Sequence, residues 1–90
     1  MTKKTKKNPS CYHVILLGDD RTPTDFIAEI LVTLFRKKEK EVLRIIADAH
    51  TKGEAICGTY SLEIAETKSA EAVEWARRQE FPLQCRMEKA

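Results

Sequence analysis

The 90-residue sequence lacks the cysteine pattern that crosslinks many small proteins. Its three cysteines, Cys11, Cys57 and Cys85, are odd in number and form no CxxC pair. This excludes a conventional disulfide framework and a zinc ribbon. We therefore expect reduced thiols in a cytosolic protein.

Long apolar runs are also absent. No stretch approaches the roughly 18 apolar residues that a membrane-spanning helix needs, and the start, MTKKTKKNPS, has no apolar core of a signal peptide. The sequence thus predicts a cytoplasmic protein with no membrane partner.

Signatures of catalysis are missing as well. There is no P-loop, dinucleotide fingerprint or G-x-S-x-G motif. Cys11 and His50 could form a thiolate and its base, but neither lies in a recognisable signature. His13, His50 and the Asp19-Asp20 pair have no characteristic metal-ligand spacing. We expect a protein that is not an enzyme and that holds neither a metal nor a cofactor.

Charge is distributed unevenly. The formal net charge is +2, but Lys3, Lys4, Lys6 and Lys7 supply four positive charges, so residues 8–90 carry a net −2. We expect residues 1–10 to be a flexible basic arm and residues 11–90 to form one domain. A small α+β nucleic-acid module remains an alternative, although no GxxG clamp or RNP-like strand is present and the body is acidic.

The first half of the chain predicts one strand and two helices. Tyr12 to Leu17, YHVILL, is typical of a strand that ends at a Gly-Asp-Asp turn. Thr22 and Pro23 predict a helix N-cap and first helical position, and an apolar stripe follows to Phe35. A second helix should end at Gly53. Its buried face comprises Val42, Ile45, Ile46 and Ala49.

The second half predicts a strand, a helix and a strand. From Ile56 to Ile64 the pattern has a period of two, which places Ile56, Gly58, Tyr60, Leu62 and Ile64 on one face. Thr67 should cap a third helix that ends before Pro82. Leu83, Cys85 and Met87 alternate with polar residues in a last strand. The order β-α-α-β-α-β predicts an α+β fold with a small antiparallel three-stranded sheet and three helices on one face.

The candidate site combines the Asp19-Asp20 loop with His50 near the end of the second helix. Two carboxylates and an imidazole can receive hydrogen bonds from a cationic amine. His50 shares a helix face with Leu43, Ile46 and Ala47, so a polar group borders an apolar strip. Spacing alone favours plainer interpretations, namely a solvated turn and an imidazole at a helix end.

Taken together, these segments resemble the ClpS adaptors, which bring substrates of the bacterial N-end rule to the unfoldase of the Clp protease. The resemblance runs from Tyr12 to Ala90. It is carried, in order, by YHVILLGDDRTPTDF, RIIADAH, AICGTYSLEIAETK and FPLQCRMEKA.

The resemblance implies an adaptor that binds the free α-amino group and the bulky first side chain of a substrate, with Phe, Tyr, Trp or Leu as that first residue. It assigns the amine to Asp19, Asp20 and His50. It places the side-chain pocket at Thr22, Thr24, Ile27, Ile46 and Leu83. It places the surface that docks on the N-terminal domain of a ClpA-like unfoldase at Glu63, Glu66, Thr67 and Lys68. We expect a monomer.

Three positions depart from the family pattern. Gly18 stands where the family typically has Asn, and Thr24 and Ile46 stand where many members have Met. These changes predict altered recognition of the first residue. An alternative within the resemblance is a regulator that docks on the unfoldase but delivers little substrate.

Overall fold

The computed structural model describes residues 10–90, so the predicted basic arm lies almost entirely outside the described residues. Three strands and three helices follow one another in the predicted order, β-α-α-β-α-β. They are β1 (Cys11–Leu17), α1 (Thr24–Thr33), α2 (Glu39–Lys52), β2 (Glu54–Ser61), α3 (Leu62–Arg78) and β3 (Gln84–Lys89). Within residues 10–90, no helix has the length and apolar character needed to cross a membrane.

The sheet is antiparallel, with the strand order β2-β1-β3. β1 is the central strand because it pairs with β2 on one edge and with β3 on the other. Its residues Val14 and Leu16 join the core, while Ile15 points to the opposite face. Ile15 is nevertheless only 3% exposed. Its cross-strand neighbours are Ile56 and Arg86, and the Arg86 guanidinium donates to Glu54 on β2, across the central strand. The element order and the antiparallel three-stranded sheet confirm the predicted fold class.

The core lies between the sheet and the helices. α1 contributes four buried apolar side chains, Phe26, Ile27, Ile30 and Leu31. α2 adds Val42, Ile45 and Ala49, whose spacing gives one apolar face. α3 approaches the sheet closely because its buried positions are the small residues Ala65, Ala72 and Ala76.

The predicted start of α1 is wrong by one position. α1 begins at Thr24, and Pro23 occupies the N-cap position with extended backbone and no side-chain cap. The hydroxyl of Thr22 donates to Asp19 instead of capping the helix. A proline at the cap is tolerated because the first N–H groups of a helix have no partner within it.

The predicted length of β2 is wrong. β2 ends at Ser61, whose hydroxyl accepts a hydrogen bond from the Ile64 N–H at 3.5 Å and thereby caps α3. Leu62 and Ile64 are therefore helical and about half exposed. Thr67, predicted as the cap, lies inside α3 and donates to the Glu63 carbonyl at 3.0 Å.

The predicted faces of β2 are also wrong in part, because β2 contains a bulge. Val14 pairs with Gly58 and Ile15 pairs with Ile56, which leaves Cys57 as the extra residue. Cys57 is buried, whereas Ile56 is 48% exposed. On β3 the predicted inward positions Cys85 and Met87 do pack against the core.

Candidate ligand-binding site

The loop after β1 is organised by the carboxylate of Asp19. Its Oδ1 accepts hydrogen bonds from the N–H groups of Arg21 and Thr22, both at 2.7 Å. Its Oδ2 accepts the hydroxyl of Thr22 at 2.9 Å. An aspartate that receives the N–H groups two and three residues later closes a turn on itself. Asp19 thus fixes the path by which the chain enters α1.

These bonds change the acidity of Asp19. Partial burial raises the pKa of the carboxyl group. The N–H groups of Thr22 and Arg21, the Thr22 hydroxyl and the Arg21 charge together lower it by more, so the net pKa lies below the ordinary value of 3.8. Asp19 is therefore a carboxylate at neutral pH.

The C-terminal end of α2 packs directly against this loop. Gly53 ends α2 in the left-handed conformation, with φ of 85°, and its N–H donates to the Ala49 carbonyl at 3.1 Å. The Gly18 N–H donates in turn to the Gly53 carbonyl at 2.9 Å. A Cβ on residue 18 would lie only 2.7 Å from the Ala49 oxygen. Glycine at this position therefore allows the loop to touch the helix end.

A cavity of about 190 Å³ opens where the loop, α1 and α2 meet. The exposed side chains of Asp20 and His50 lie at its edge. Its apolar wall is formed by Ile27, Ile46 and Ala49. The remaining lining residues are Gly18, Asp19 and Gly53. A carboxylate and an imidazole beside an apolar wall suit a ligand with a cationic end and an apolar side chain.

The structure brings five of the predicted site residues together at this cavity. They are Asp19, Asp20, Ile27, Ile46 and His50. The other three are not among its lining residues. Thr22 is buried behind Asp19, Leu83 is 1% exposed in the core, and Thr24 is the exposed first residue of α1.

Ala49 and Gly53 also line the cavity, although the sequence predicts only a core position for Ala49 and a helix stop for Gly53. Ile46, Ala49, His50 and Gly53 follow one another at i, i+3, i+4 and i+7 spacing, which is the signal that one helix face would line the cavity.

A larger depression of about 340 Å³ lies between α2 and β2. Its charged groups already have partners: Arg44 and Lys52 approach Asp48 at 3.9 and 3.8 Å, and Glu54 accepts a hydrogen bond from Arg86, outside the depression, at 2.9 Å. Charged groups that already have partners are less available to bind a ligand than the side chains of Asp20 and His50. The smaller cavity is therefore the candidate site.

The predicted docking residues lie on the first two turns of α3. Glu63, Glu66 and Thr67 are exposed. Lys68 is half-buried, because its ammonium donates to the Leu34 carbonyl at 2.6 Å and lies 5.5 Å from the centre of the Tyr60 ring. One of its three N–H donors is thus used within the fold.

The cysteines do not combine with the site. Cys11 pairs with Ser61 at the end of β1 far from the Asp19 loop, so it is not a partner of His50. Burial raises the pKa of Cys57 to about 12 and that of Cys85 to about 11. Within residues 10–90, no group of three or more His, Cys, Asp or Glu side chains is arranged to hold a metal ion.

Comparison with known proteins places this chain in a family. The family described as ATP-dependent Clp protease adaptor protein ClpS matches residues 7–86. The ATP-dependent Clp protease adapter protein ClpS of Maricaulis maris is 47% identical over 88 residues, which cover 98% of this chain and 81% of the relative. The ClpS of Hyphomonas neptunium is 50% identical over 86 residues, which cover 96% and 72% of the two chains.

The solved structure of Agrobacterium tumefaciens ClpS2 bound to L-phenylalaninamide shares the fold. It is 36% identical, superposes with a TM-score of 0.87, and the match covers 92% of this chain and all of the other. The chain therefore belongs to the ClpS family of ATP-dependent Clp protease adaptor proteins, which are adaptors and not enzymes.

Proposed function

We propose that the cavity between the Asp19 loop and α2 holds the N-terminal residue of a substrate protein, and that the adaptor presents this substrate to a Clp unfoldase in the cytoplasm. The observation that carries the proposal is the placement of Asp20 and His50 beside the apolar side chains of Ile27 and Ile46 around one cavity. The relative from A. tumefaciens binds L-phenylalaninamide, a ligand with a free α-amino group and an aromatic side chain.

The proposed amine site consists of Asp20 and His50, with Asp19 behind them. Asp19 already receives three hydrogen bonds from its own loop, so its part is to hold the loop and to add negative charge. The Asp20 carboxylate and the neutral imidazole of His50 receive the ammonium directly. A desolvated ammonium needs such acceptors, whereas an acetylated N-terminus has no charge to satisfy.

The proposed side-chain pocket consists of Ile27, Ile46 and Ala49. A cavity of about 150 Å³ lined by aliphatic and aromatic side chains is large enough to bind benzene. The volume of about 190 Å³ here, which also includes the proposed amine site, is of comparable size. Thr24 is the exposed first residue of α1, whereas Thr22 and Leu83 are buried, so we propose that these three residues shape the pocket indirectly. We propose Phe, Tyr, Trp and Leu as the main first residues.

The proposed docking surface is Glu63, Glu66 and Thr67, with the stem of Lys68 beside them. All three polar residues are exposed, and the half-exposed side chains of Leu62 and Ile64 lie next to them in the chain. Exposed apolar side chains bordered by charges are typical of a protein interface. We propose the N-terminal domain of a ClpA-like unfoldase as the partner.

The test is a binding titration with labelled peptides that differ only at the first residue. Peptides that begin with Phe, Tyr, Trp or Leu should bind, and an N-acetylated Phe peptide and an RNA oligomer should not. Equal affinity for the free and acetylated Phe peptides would refute the proposal. Binding of the RNA oligomer in preference to the peptides would favour a nucleic-acid module instead.

A further inference from the structure

The side chain of Leu43 on α2 is the most exposed of the large hydrophobic side chains within residues 10–90, at 62% exposure. Two others of this group, Leu62 and Ile64, adjoin the proposed docking surface on α3. A single exposed leucine is common on protein surfaces. Leu43 differs from an isolated surface leucine because of where it lies relative to the cavity.

Leu43 lies on the same outward face of α2 as the rim of the cavity. Leu43 and His50 are seven residues apart, almost two full helical turns, so their side chains leave α2 in nearly the same direction. Ile46 and Ala47 lie between them, about one turn from each. Ile46 and His50 line the cavity, and Ala47 is exposed. An apolar strip therefore continues from the cavity along the outside of α2 to Leu43.

The direction of a bound substrate chain follows from the ends of the cavity. At the loop end, the Gly18 N–H donates to the Gly53 carbonyl at 2.9 Å, which closes the gap between the loop and α2. The proposed function places the ammonium of the first residue at this end, beside Asp20 and His50. Its side chain points inward against Ile46. The carbonyl of the same residue then leaves away from the loop, and the substrate follows α2 towards Leu43.

We propose that Leu43 contacts the side chain of the third residue of the substrate, so that an apolar third residue strengthens binding. This inference rests on the proposed function. In an extended chain the first and third side chains point to the same side, and the second points to the opposite side. The first side chain enters the cavity, so the third faces α2 and the second faces solvent.

The spacing along α2 matches this assignment. The third side chain of an extended chain lies about 6.6 Å beyond the first, at about 3.3 Å per residue. The apolar wall contributed by α2 consists of Ile46 and Ala49. With a helical rise of about 1.5 Å per residue, Leu43 lies about 4.5 Å beyond Ile46 and about 9 Å beyond Ala49 along the helix axis. The middle of that wall is therefore about 6.8 Å from Leu43, close to the advance of two extended residues.

The experiment compares three peptides that begin Phe-Ser-Ser, Phe-Leu-Ser or Phe-Ser-Leu and are otherwise identical. Isothermal titration calorimetry with the full chain should show at least about threefold tighter binding of Phe-Ser-Leu than of Phe-Ser-Ser, because the leucine contact is partly buried. Phe-Leu-Ser should bind within about twofold of Phe-Ser-Ser, since its leucine faces solvent. A smaller gain at the third position, or an equal gain at the second, overturns the inference.

A variant tests whether Leu43 is the cause. Leu43 is exposed, so Leu43→Ser leaves the core intact, and it should remove the difference in affinity between the Phe-Ser-Leu and Phe-Ser-Ser peptides. Ile56→Thr is the matched control and should keep that difference. Ile56 is 48% exposed but pairs with Ile15 on the face of the sheet opposite the core. If the preference for a third leucine persists in Leu43→Ser, Leu43 is not its source and the inference is wrong.

Acetylated peptides separate this inference from the proposed function. If free Phe-Ser-Ser binds no better than its N-acetylated form, the proposed function fails, and the inference fails with it. If the free peptide binds better than the acetylated one but a third leucine adds nothing, the proposed function stands and only the assignment of Leu43 falls.

Discussion

Two adjacent aspartates in the loop after β1 have different tasks. Asp19 is engaged by three donors from its own turn, whereas Asp20 is exposed at the edge of the cavity. A motif of two carboxylates therefore divides into one residue that shapes the loop and one that faces the cavity. The difference arises because only the first residue of the pair is placed to receive the N–H groups of Arg21 and Thr22.

The Asp19 network predicts how the loop responds to acid. Because the folded pKa of Asp19 lies below the unfolded value, its carboxylate stabilises the fold above about pH 4, and this contribution is lost as the pH falls through the folded pKa. Thr22→Val removes one donor, so the pKa of Asp19 should rise and acid unfolding should begin at a higher pH. The unfolding free energy at pH 7 should fall by about 1 kcal/mol.

Carboxyl-detected NMR titration of Asp19 and urea denaturation measure these two effects. Thr22→Ser is the matched control, since it keeps the hydroxyl and should keep the low pKa. An unaltered Asp19 titration in Thr22→Val would show that the hydrogen bond between the two side chains does not stabilise the carboxylate.

Replacement of Asp20 should weaken ligand binding without lowering the stability of the fold. It is exposed, so Asp20→Ala should change the unfolding free energy by no more than about 0.5 kcal/mol. Affinity for a Phe-initiated peptide should fall by about 1.5 to 3 kcal/mol, because the ammonium loses a charged acceptor. Fluorescence anisotropy gives the affinity. Asp25→Ala is the control, because Asp25 is also exposed but is not among the residues that line the cavity.

Some residues of the candidate site could be predicted from the sequence. The aspartate pair, His50, Ile27 and Ile46 meet at the cavity as the sequence and the family resemblance led us to expect. The hydrogen-bond partner of the Thr22 hydroxyl was not predictable, because a threonine before a proline can either cap the following helix or donate to an aspartate earlier in the chain. The contact between Gly18 and Ala49 was not predictable either, since it depends on tertiary packing of the loop on α2.

At the scale of elements, the candidate site depends on the end of α2 at Gly53. The left-handed backbone of Gly53 turns the chain into β2, and the Gly53 carbonyl receives the Gly18 N–H. Gly53→Ala should destabilise the protein by about 1 to 2 kcal/mol, the cost of placing a Cβ on a left-handed residue. No atom lies within 4 Å of that Cβ, so the effect reports backbone strain and not a clash.

Urea denaturation of Gly53→Ala and Gly53→Asn tests this assignment. Asparagine tolerates the left-handed region better than alanine, so Gly53→Asn should lose clearly less stability. Equal losses for the two variants would mean that backbone conformation is not the reason for glycine at this position.

The boundary between β2 and α3 shows where element prediction fails. The alternation from Ile56 to Ile64 looks continuous in the sequence, yet the strand ends at Ser61. Ser61 can continue a strand or cap a helix, and the choice is made by α3 packing Ala65, Ala72 and Ala76 on the sheet. The bulge at Cys57 likewise depends on pairing with β1. Strongly periodic helices and the order of elements, in contrast, were predictable.

At the scale of the whole molecule, β1 connects the two proposed functional regions. Its last residue leads into the Asp19 loop, and its first residue, Cys11, pairs with Ser61, which caps α3 beside the proposed docking surface. Seven strand residues span about 20 Å. The proposed substrate site and the proposed docking surface thus lie near opposite ends of the central strand, and we expect that both can be occupied at the same time.

This separation predicts that the two activities can be removed independently. The triple variant Glu63→Ala, Glu66→Ala, Thr67→Ala should bind the purified unfoldase N-terminal domain at least tenfold more weakly. Truncation of an important interface side chain costs about 1 kcal/mol or more of binding free energy. Affinity for a Phe-initiated peptide should stay unchanged. Asp20→Ala should show the opposite pattern, with normal docking and weakened peptide binding.

Glu71→Ala, Glu74→Ala is a suitable control for charge, because both residues are exposed further along α3. Surface plasmon resonance with immobilised N-terminal domain and anisotropy with labelled peptide measure the two equilibria. If the α3 triple variant weakened peptide binding as much as docking, the two regions would not be independent, and this division of the molecule would have to be abandoned.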